Sequence, residues 1–349
     1  MITDKDCSTC ASSIYTTTYA AMDAEFGTSR LVSTIGLSVY VFGIALGPLL
    51  TGPLSEWHGR RPIYLVSWSL FIVWTIPSAV ARNIQTTIIA RFFCGFAGGT
   101  FLSVAGGTVR DLFSNDGIQS PMALVSSAPF IGPCLGPVFG GFITHYAHWR
   151  WTYYFVIIWS VVLLASIFLF APETYGPTRL RALAKSPRKE FGNGGRKAMI
   201  GTNTQTKNQT LMISLLRPFQ LLFLEPMCLC LNLYSAVLLG ILYLFFGAFP
   251  LVFETQHGMS LWQVGLTFMG IITGMIAAAA STPLWSRIRE HLLKTRRMGL
   301  EERHPEYQLP PSILGGLLIP VGLFWFGWTT YSSIHWIVPI IGSALFGFG

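Results

Sequence analysis

Gly52-Pro53-Leu54-Ser55-Glu56-Trp57-His58-Gly59-Arg60-Arg61-Pro62 places a carboxylate, an imidazole and two guanidinium groups between two long apolar runs. With so few residues in which to reverse direction, the stretch reads as a tight loop at a membrane surface. Gly59 supplies the backbone freedom that such a turn needs.

The rest of the composition agrees. A chain of 349 residues that is 52% hydrophobic and 11% charged, with a mean hydropathy of +0.53, is too apolar for a soluble domain. Runs long enough to cross a bilayer occur at 31–51, 63–82, 88–110, 120–144 and 151–171, and again at 227–252, 262–283 and 311–331. A ninth run opens near His335 and has 15 residues before Gly349, roughly 22 Å of helix, so the sequence predicts a chain ending inside a span. Ser12 to Met22 reads as the tail of a first span whose beginning is missing. Residues 1–13 have no apolar core and are not a signal peptide.

Alternate threading puts 18 of the 23 Lys and Arg residues on one side, which marks that side as cytoplasmic. The net charge of +8 is therefore a topology signal, and nucleic acid is not an expected partner. Residues 173–217 are rich in Gly, Asn, Gln and basic side chains and read as a flexible cytoplasmic linker. The predicted organisation is an N-terminal bundle over 1–172, this linker, and a C-terminal bundle over 218–349. Trp285, Ile288 and Leu292 recur at helical spacing and predict an interfacial extension of the preceding span. Cys7 and Cys10 form a lone CxxC, and with Cys94, Cys134, Cys228 and Cys230 they read as small buried hydrophobes, with no metal or disulfide implied.

The opening stretch resembles the loop between the second and third spans of major facilitator transporters, Gly-x-Leu-Ser/Ala-Asp-x-x-Gly-Arg-Arg/Lys, with Glu56 in place of the usual Asp and Ile63 where a further basic residue often stands. The resemblance implies an all-α, two-bundle fold of twelve spans when complete. It also implies a cytoplasmic gate formed by Glu56, Gly59, Arg60 and Arg61, with Asp111 as the natural ionic partner. An isolated Arg pair would more simply anchor the loop on lipid phosphates.

Arg91 is the one clear charge inside an apolar run. Arg91, Gly95, Gly99, Ser103 and Gly106 follow at helical intervals, so the Arg shares a face with small residues and is expected to point into the bundle; the alternative is snorkelling to the interface. In the family an Arg followed by small residues in the fourth span is linked to proton movement. Gly132, Gly136 and Gly140 form one stripe of the fifth span, with Pro133 and Pro137 on the next and Gly141 closing the motif. Such a stripe lets a neighbouring helix approach backbone to backbone. It resembles the motif of proton-coupled exporters, and Trp149-Arg150-Trp151-Thr152-Tyr153-Tyr154 and Pro172-Glu173-Thr174-Tyr175 resemble fungal drug:proton antiporters.

The expected function is proton-coupled efflux of small organic or cationic compounds such as drugs, toxins or polyamines. Facilitated uptake or symport is the alternative, as is a non-transporting fragment of such a transporter. An enzyme is not expected, because HExxH, GxSxG and the phosphate-binding Gly-x-x-x-x-Gly-Lys-Ser/Thr are absent. No cofactor is expected. The expected partners are a small molecule, protons and the bilayer, and the chain is expected to be a monomer of the plasma membrane, with the vacuolar membrane as the alternative.

Overall fold

A computed structural model describes residues 2–113, 118–176, 178, 207–295 and 309–349, and the regular structure of those residues is helical throughout. The first column is α1 (Ile2–Ser13), a 3-10 turn (Ile14–Thr18) and α2 (Tyr19–Phe26). It stops where Gly27 takes a φ of 63°, a left-handed conformation that only glycine adopts cheaply. Then come α3 (Arg30–His58), α4 (Arg60–Val80), α5 (Ile84–Gly98), α6 (Thr100–Leu112), α7 (Gln119–Tyr146) and α8 (Arg150–Phe170). The second half holds α9 (Lys207–Leu224), α10 (Pro226–His257), α11 (Leu261–Thr267), α12 (Met269–Thr295), α13 (Leu309–Trp328) and α14 (Ile337–Phe348).

Eight helical stretches are long and apolar enough to cross a membrane, with α5 and α6 making one of them and α11 and α12 another. They coincide with the eight runs read from the sequence. The ninth run appears as α14. Four features differ. The hinge is shorter than an eleven-residue loop, because α3 continues to His58 and α4 starts at Arg60. Gly59 alone interrupts them at a φ of 96°, its N–H bonded to the Ser55 carbonyl. Pro48 and Pro53 lie within α3 without ending it.

The second difference is the first column. Helix extends back to Ile2, where hydropathy shows nothing. Ser8, Ser12, Ser13 and Thr18 are fully buried, and several of these hydroxyls donate back to the carbonyl three residues earlier, as Ser12 Oγ does to Thr9 O at 2.6 Å and Thr18 Oγ1 to Tyr15 O at 2.7 Å. A helix enclosed by other helices needs no lipid-facing apolar run, because its neighbours shield it and most of its serine and threonine hydroxyls bond to its own carbonyls, Ser8 Oγ being an exception. Third, α9 begins at Lys207, inside the stretch read as linker; residues 179–206 of that stretch lie outside the described residues. Fourth, Cys7, Cys10, Cys94 and Cys134 are buried as expected, but Cys228 is half-buried and Cys230 exposed on α10.

Each half has its own core. In the first, Trp68 stacks on Phe71 and meets Phe101 edge-on at 4.7 Å between centroids. The second is a phenylalanine cluster, with Phe245, Phe249, Phe268, Phe326 and Phe346 in mutual contact. Cys134 of α7 belongs to that second core, so α7 stands between the halves.

Candidate functional site

At the basic end, the hinge presents three consecutive demands. Ending α3 at His58 and restarting at Arg60 leaves the first N–H groups of α4 without carbonyl partners. Glu173 meets them: its carboxylate accepts from Arg60 N at 2.9 Å and Arg61 N at 3.2 Å, and from Tyr175 N at 2.9 Å. An anion at a helix N-terminus also complements the helix dipole. The residue at 59 must be glycine, since its φ is positive and an added Cβ would strike the Glu173 carboxylate. The Arg60 side chain is then directed inward. Its Nε donates to Asp111 Oδ2 at 3.1 Å, its Nη1 to Ser55 Oγ at 2.6 Å, and its guanidinium lies 5.1 Å from the Tyr175 ring centroid.

The expected Arg60–Asp111 pair is therefore present, and it is largely shielded, with side-chain exposures of 10% and 21%. Arg61 does not join it; its Nη2 donates to Phe168 O at 2.9 Å. Glu56 is exposed and has no hydrogen bond or ion pair among the described residues. The carboxylate that organises the hinge is Glu173, which the sequence offered only as part of a motif after the sixth span. A helix start with no capping residue of its own is the signal that would have pointed to it.

Arg91 faces the bundle and is 3% exposed. Its Nε donates to Gly36 O at 3.0 Å and its Nη2 to Ser12 O at 3.1 Å, with longer bonds of 3.4 Å to Ala11 O. Ala11 and Ser12 are at the end of α1, where carbonyls lose their helical donors, so the cation serves as a C-terminal cap. The rings of Tyr15 and Tyr40 lie 3.9 and 4.6 Å from its guanidinium carbon. Ser12 Oγ in turn bonds Tyr243 OH of α10 at 2.8 Å, which links this cluster to the second half.

Along the same face, a Cβ at Gly95 would strike the Tyr40 carbonyl, and one at Gly99 would lie 3.0 Å from Ile44 Cα. α3 and α5 thus meet backbone to backbone. The stripe stops there: Ser103 is exposed, and a Cβ at Gly106 would find only the Met122 methyl at 3.9 Å. The helical register breaks at Gly99, between α5 and α6.

The glycines of α7 seat the first column. Added Cβ atoms would meet Thr9 Oγ1 and Asp6 O at Gly132, Ser13 Oγ and Ile14 N at Gly136, and Thr17 Oγ1 and Ile14 Cγ1 at Gly140. A Cβ at Gly141 would point the other way, lying 2.9 Å from Leu261 O and 3.4 Å from Gly265 Cα of α11, and one at Gly265 would strike the Pro137 carbonyl. Pro133 and Pro137 lie within an unbroken α7.

Next to α7 is a cavity of about 520 Å³ between α7, α10, α12, α13 and α14. At the opposite membrane face, the Trp-Arg motif is a clamp. Glu25 accepts from Trp149 Nε1 at 2.6 Å and Arg150 Nη2 at 2.7 Å, and Arg150 also holds Ala81 O at 2.9 Å. Burial raises the Glu25 carboxyl, but the bonds from Arg150 and Trp149 outweigh it and hold it below the usual carboxylate range. Trp149 and Tyr153 are buried, whereas Trp151 faces outward, so only part of this aromatic run is an interfacial belt.

A sequence model of the Major Facilitator Superfamily matches residues 7–349. The efflux pump atB of Aspergillus terreus is 53% identical over 311 residues, which are 88% of this chain and 65% of that protein. The probable drug/proton antiporter YHK8 of Saccharomyces cerevisiae is 39% identical over 330 residues, 93% of this chain and 63% of its own length. The chain thus spans less than two thirds of these curated relatives. Among solved structures, the partially occluded, inward-open xylose transporter XylE of E. coli superposes with a TM-score of 0.66 at 14% identity, covering 99% of this chain and 82% of the other. The human organic anion transporter MFSD10 gives 0.59 at 17% identity, over 99% of this chain and 80% of its own. Both are likenesses of fold.

Proposed function

The chain belongs to the Major Facilitator Superfamily, and on that premise we propose that it exports small organic compounds across a membrane in exchange for protons. It is a transporter-family chain with a multi-pass membrane fold, not an enzyme. The observation that carries coupled exchange over facilitated passage is α7, whose Gly132, Gly136 and Gly140 admit no side chain against the first column. A contact this close seals one half while Gly141 and Pro137 hold the other, which suits obligatory exchange better than an open facilitated path. Relatives named as an efflux pump and a drug/proton antiporter support the same reading.

In this proposal the Arg60–Asp111 pair, braced by Glu173, is a gate at the cytoplasmic face, and Arg91 takes part in proton coupling. The N-terminal bundle is 1–172 and the C-terminal bundle 218–349. A single copy in the plasma membrane suffices. The test is pH-driven flux in vesicles containing the protein expressed within its full reading frame. Uphill movement of a toxic compound that collapses with an uncoupler supports the proposal; downhill movement indifferent to the proton gradient refutes it.

A further inference from the structure

The first column changes pitch at its middle. α1 runs to Ser13, and Ile14–Thr18 then tightens into a 3-10 turn before α2. Ser12, Ser13, Thr16, Thr17 and Thr18 each donate a side-chain hydroxyl to the carbonyl three residues earlier, and such bonds compete with the α-helical pattern. A 3-10 stretch inside a longer helix is a place where a column can bend. Three elements hold this joint. Arg91 of α5 bonds the Ser12 carbonyl at 3.1 Å, α7 presents Gly136 to Ser13 and Ile14, and Tyr243 of α10 meets the Ser12 hydroxyl at 2.8 Å. We propose that Tyr243 is a positioning residue for coupled exchange: through Ser12 it makes the joint of the first column, and with it the Arg91 cluster, depend on where the second half stands. The proposal rests on the export reading and adds to it a named link between the halves.

A serine has one O–H to give, and Ser12 gives it to Thr9 O at 2.6 Å. The Tyr243 hydroxyl is therefore the donor to Ser12 Oγ, and when α10 withdraws it is the tyrosine that loses its acceptor. Ser12 is fully buried, so on that side the lost bond is not made good by bulk water. Other approaches between the halves differ in kind. Phe142 meets Trp262 through rings with centroids 5.7 Å apart, and α7 meets α11 backbone to backbone at Gly141. Such contacts tolerate small sliding, whereas a hydroxyl pair is lost once stretched by less than about 1 Å. Arg91 belongs to the first half and Tyr243 to the second, and both bond the same residue, one at its carbonyl and one at its hydroxyl. Withdrawal of Tyr243 thus releases the point of the column that Arg91 caps.

The experiment uses the protein expressed within its full reading frame, in nanodiscs for hydrogen–deuterium exchange and in vesicles for pH-driven flux. Tyr243→Phe keeps the ring and its edge-on contact with Phe246 and removes only the hydroxyl. Ser12→Ala removes the acceptor, and Tyr234→Phe, on an exposed turn of the same helix, is the control. Exchange of the Ile14–Thr18 amides should rise about tenfold in Tyr243→Phe and equally in Ser12→Ala, with no further rise in the double variant; uphill flux should fall by a similar factor at matched membrane abundance. Tyr234→Phe should leave both readouts at the wild-type value. Wild-type exchange over Ile14–Thr18 in Tyr243→Phe overturns the proposal, as does full uphill flux in that variant or an additive effect in the double one. Exchange that rises along α4 as much as at the joint marks a general loss of stability and overturns it too. Failure of the export reading is seen separately: the exchange response at the joint would persist while even the unsubstituted protein showed no pH-driven flux.

Discussion

Replacing Gly136 by alanine tests whether the α7 stripe is a backbone contact. The added Cβ would lie 2.6 Å from Ile14 N and 2.9 Å from Ser13 Cβ, whereas ordinary contact begins at 3.4 Å. Backbone must therefore retreat by 3.4 minus 2.6, or 0.8 Å. Rigid overpacking of this kind costs about 1–3 kcal/mol, while alanine in a helix returns up to about 1 kcal/mol over glycine. The expected net loss is about 1–2 kcal/mol. At Gly140 the obstacles are the Thr17 and Ile14 side chains, which can rotate, so Gly140→Ala should cost less. Gly247→Ala meets nothing within 4 Å and should be neutral or mildly stabilising. Thermal unfolding of the three variants in nanodiscs gives the ranking, and pH-driven flux at matched membrane abundance gives the functional effect. If Gly136→Ala melts with Gly247→Ala and pumps at the wild-type rate, α7 and the first column do not form the seal described.

Four further outcomes follow from the same contacts. Asp111→Arg combined with Arg60→Asp should recover part of the transport lost by either change alone, because the two groups pair; strictly additive loss would show that each acts separately. Arg91→Lys keeps the charge but cannot reach Gly36, Ala11 and Ser12 together, so about 2–3 kcal/mol of stability should go with those bonds, and an unchanged melting temperature would contradict the assignment. Glu25 has a lowered carboxyl, so its stabilising effect is present above the ordinary carboxylate range and is lost as pH falls through the lowered value; the melting difference between wild type and Glu25→Gln should be constant at neutral pH and shrink only once the pH is brought below the ordinary carboxylate range. A cysteine at Asn193 should be shielded from an impermeant thiol reagent outside intact cells while one at Ser332 reacts, and the reverse pattern would invert the orientation.

Spans were legible wherever a helix faces lipid, since only there must apolar residues run continuously for about 20 positions. The first column was legible only in its tail, Ser12 to Met22, and its start was hidden for the converse reason. Its serines, threonines and tyrosines are enclosed by α7 and α8, and hydropathy measures exposure to lipid, not burial in protein. Gly59, Arg60, Asp111 and Arg91 could be found because glycine and charge are conspicuous in an apolar chain. Glu173 could not be assigned its role, since a carboxylate more than a hundred residues from the N–H groups it caps leaves no periodic trace. Trp149-Arg150 was legible only as part of a family resemblance, and its function in the fold depends on Glu25, which sits on a segment the sequence did not read as complete.

The double contact of α7 has a mechanical consequence. One face touches the first column through glycine, and another touches α11 through Gly141 and the Pro137–Gly265 approach, so neither spacing can shorten without displacing backbone. A body clamped this way behaves as a fulcrum: small angular play near Pro137 becomes larger travel at the ends of the lever. Asp111 of the Arg60–Asp111 pair precedes one end of α7 and Arg150 of the Glu25–Arg150 clamp follows the other, so any tilt of α7 would be felt at both pairs at once.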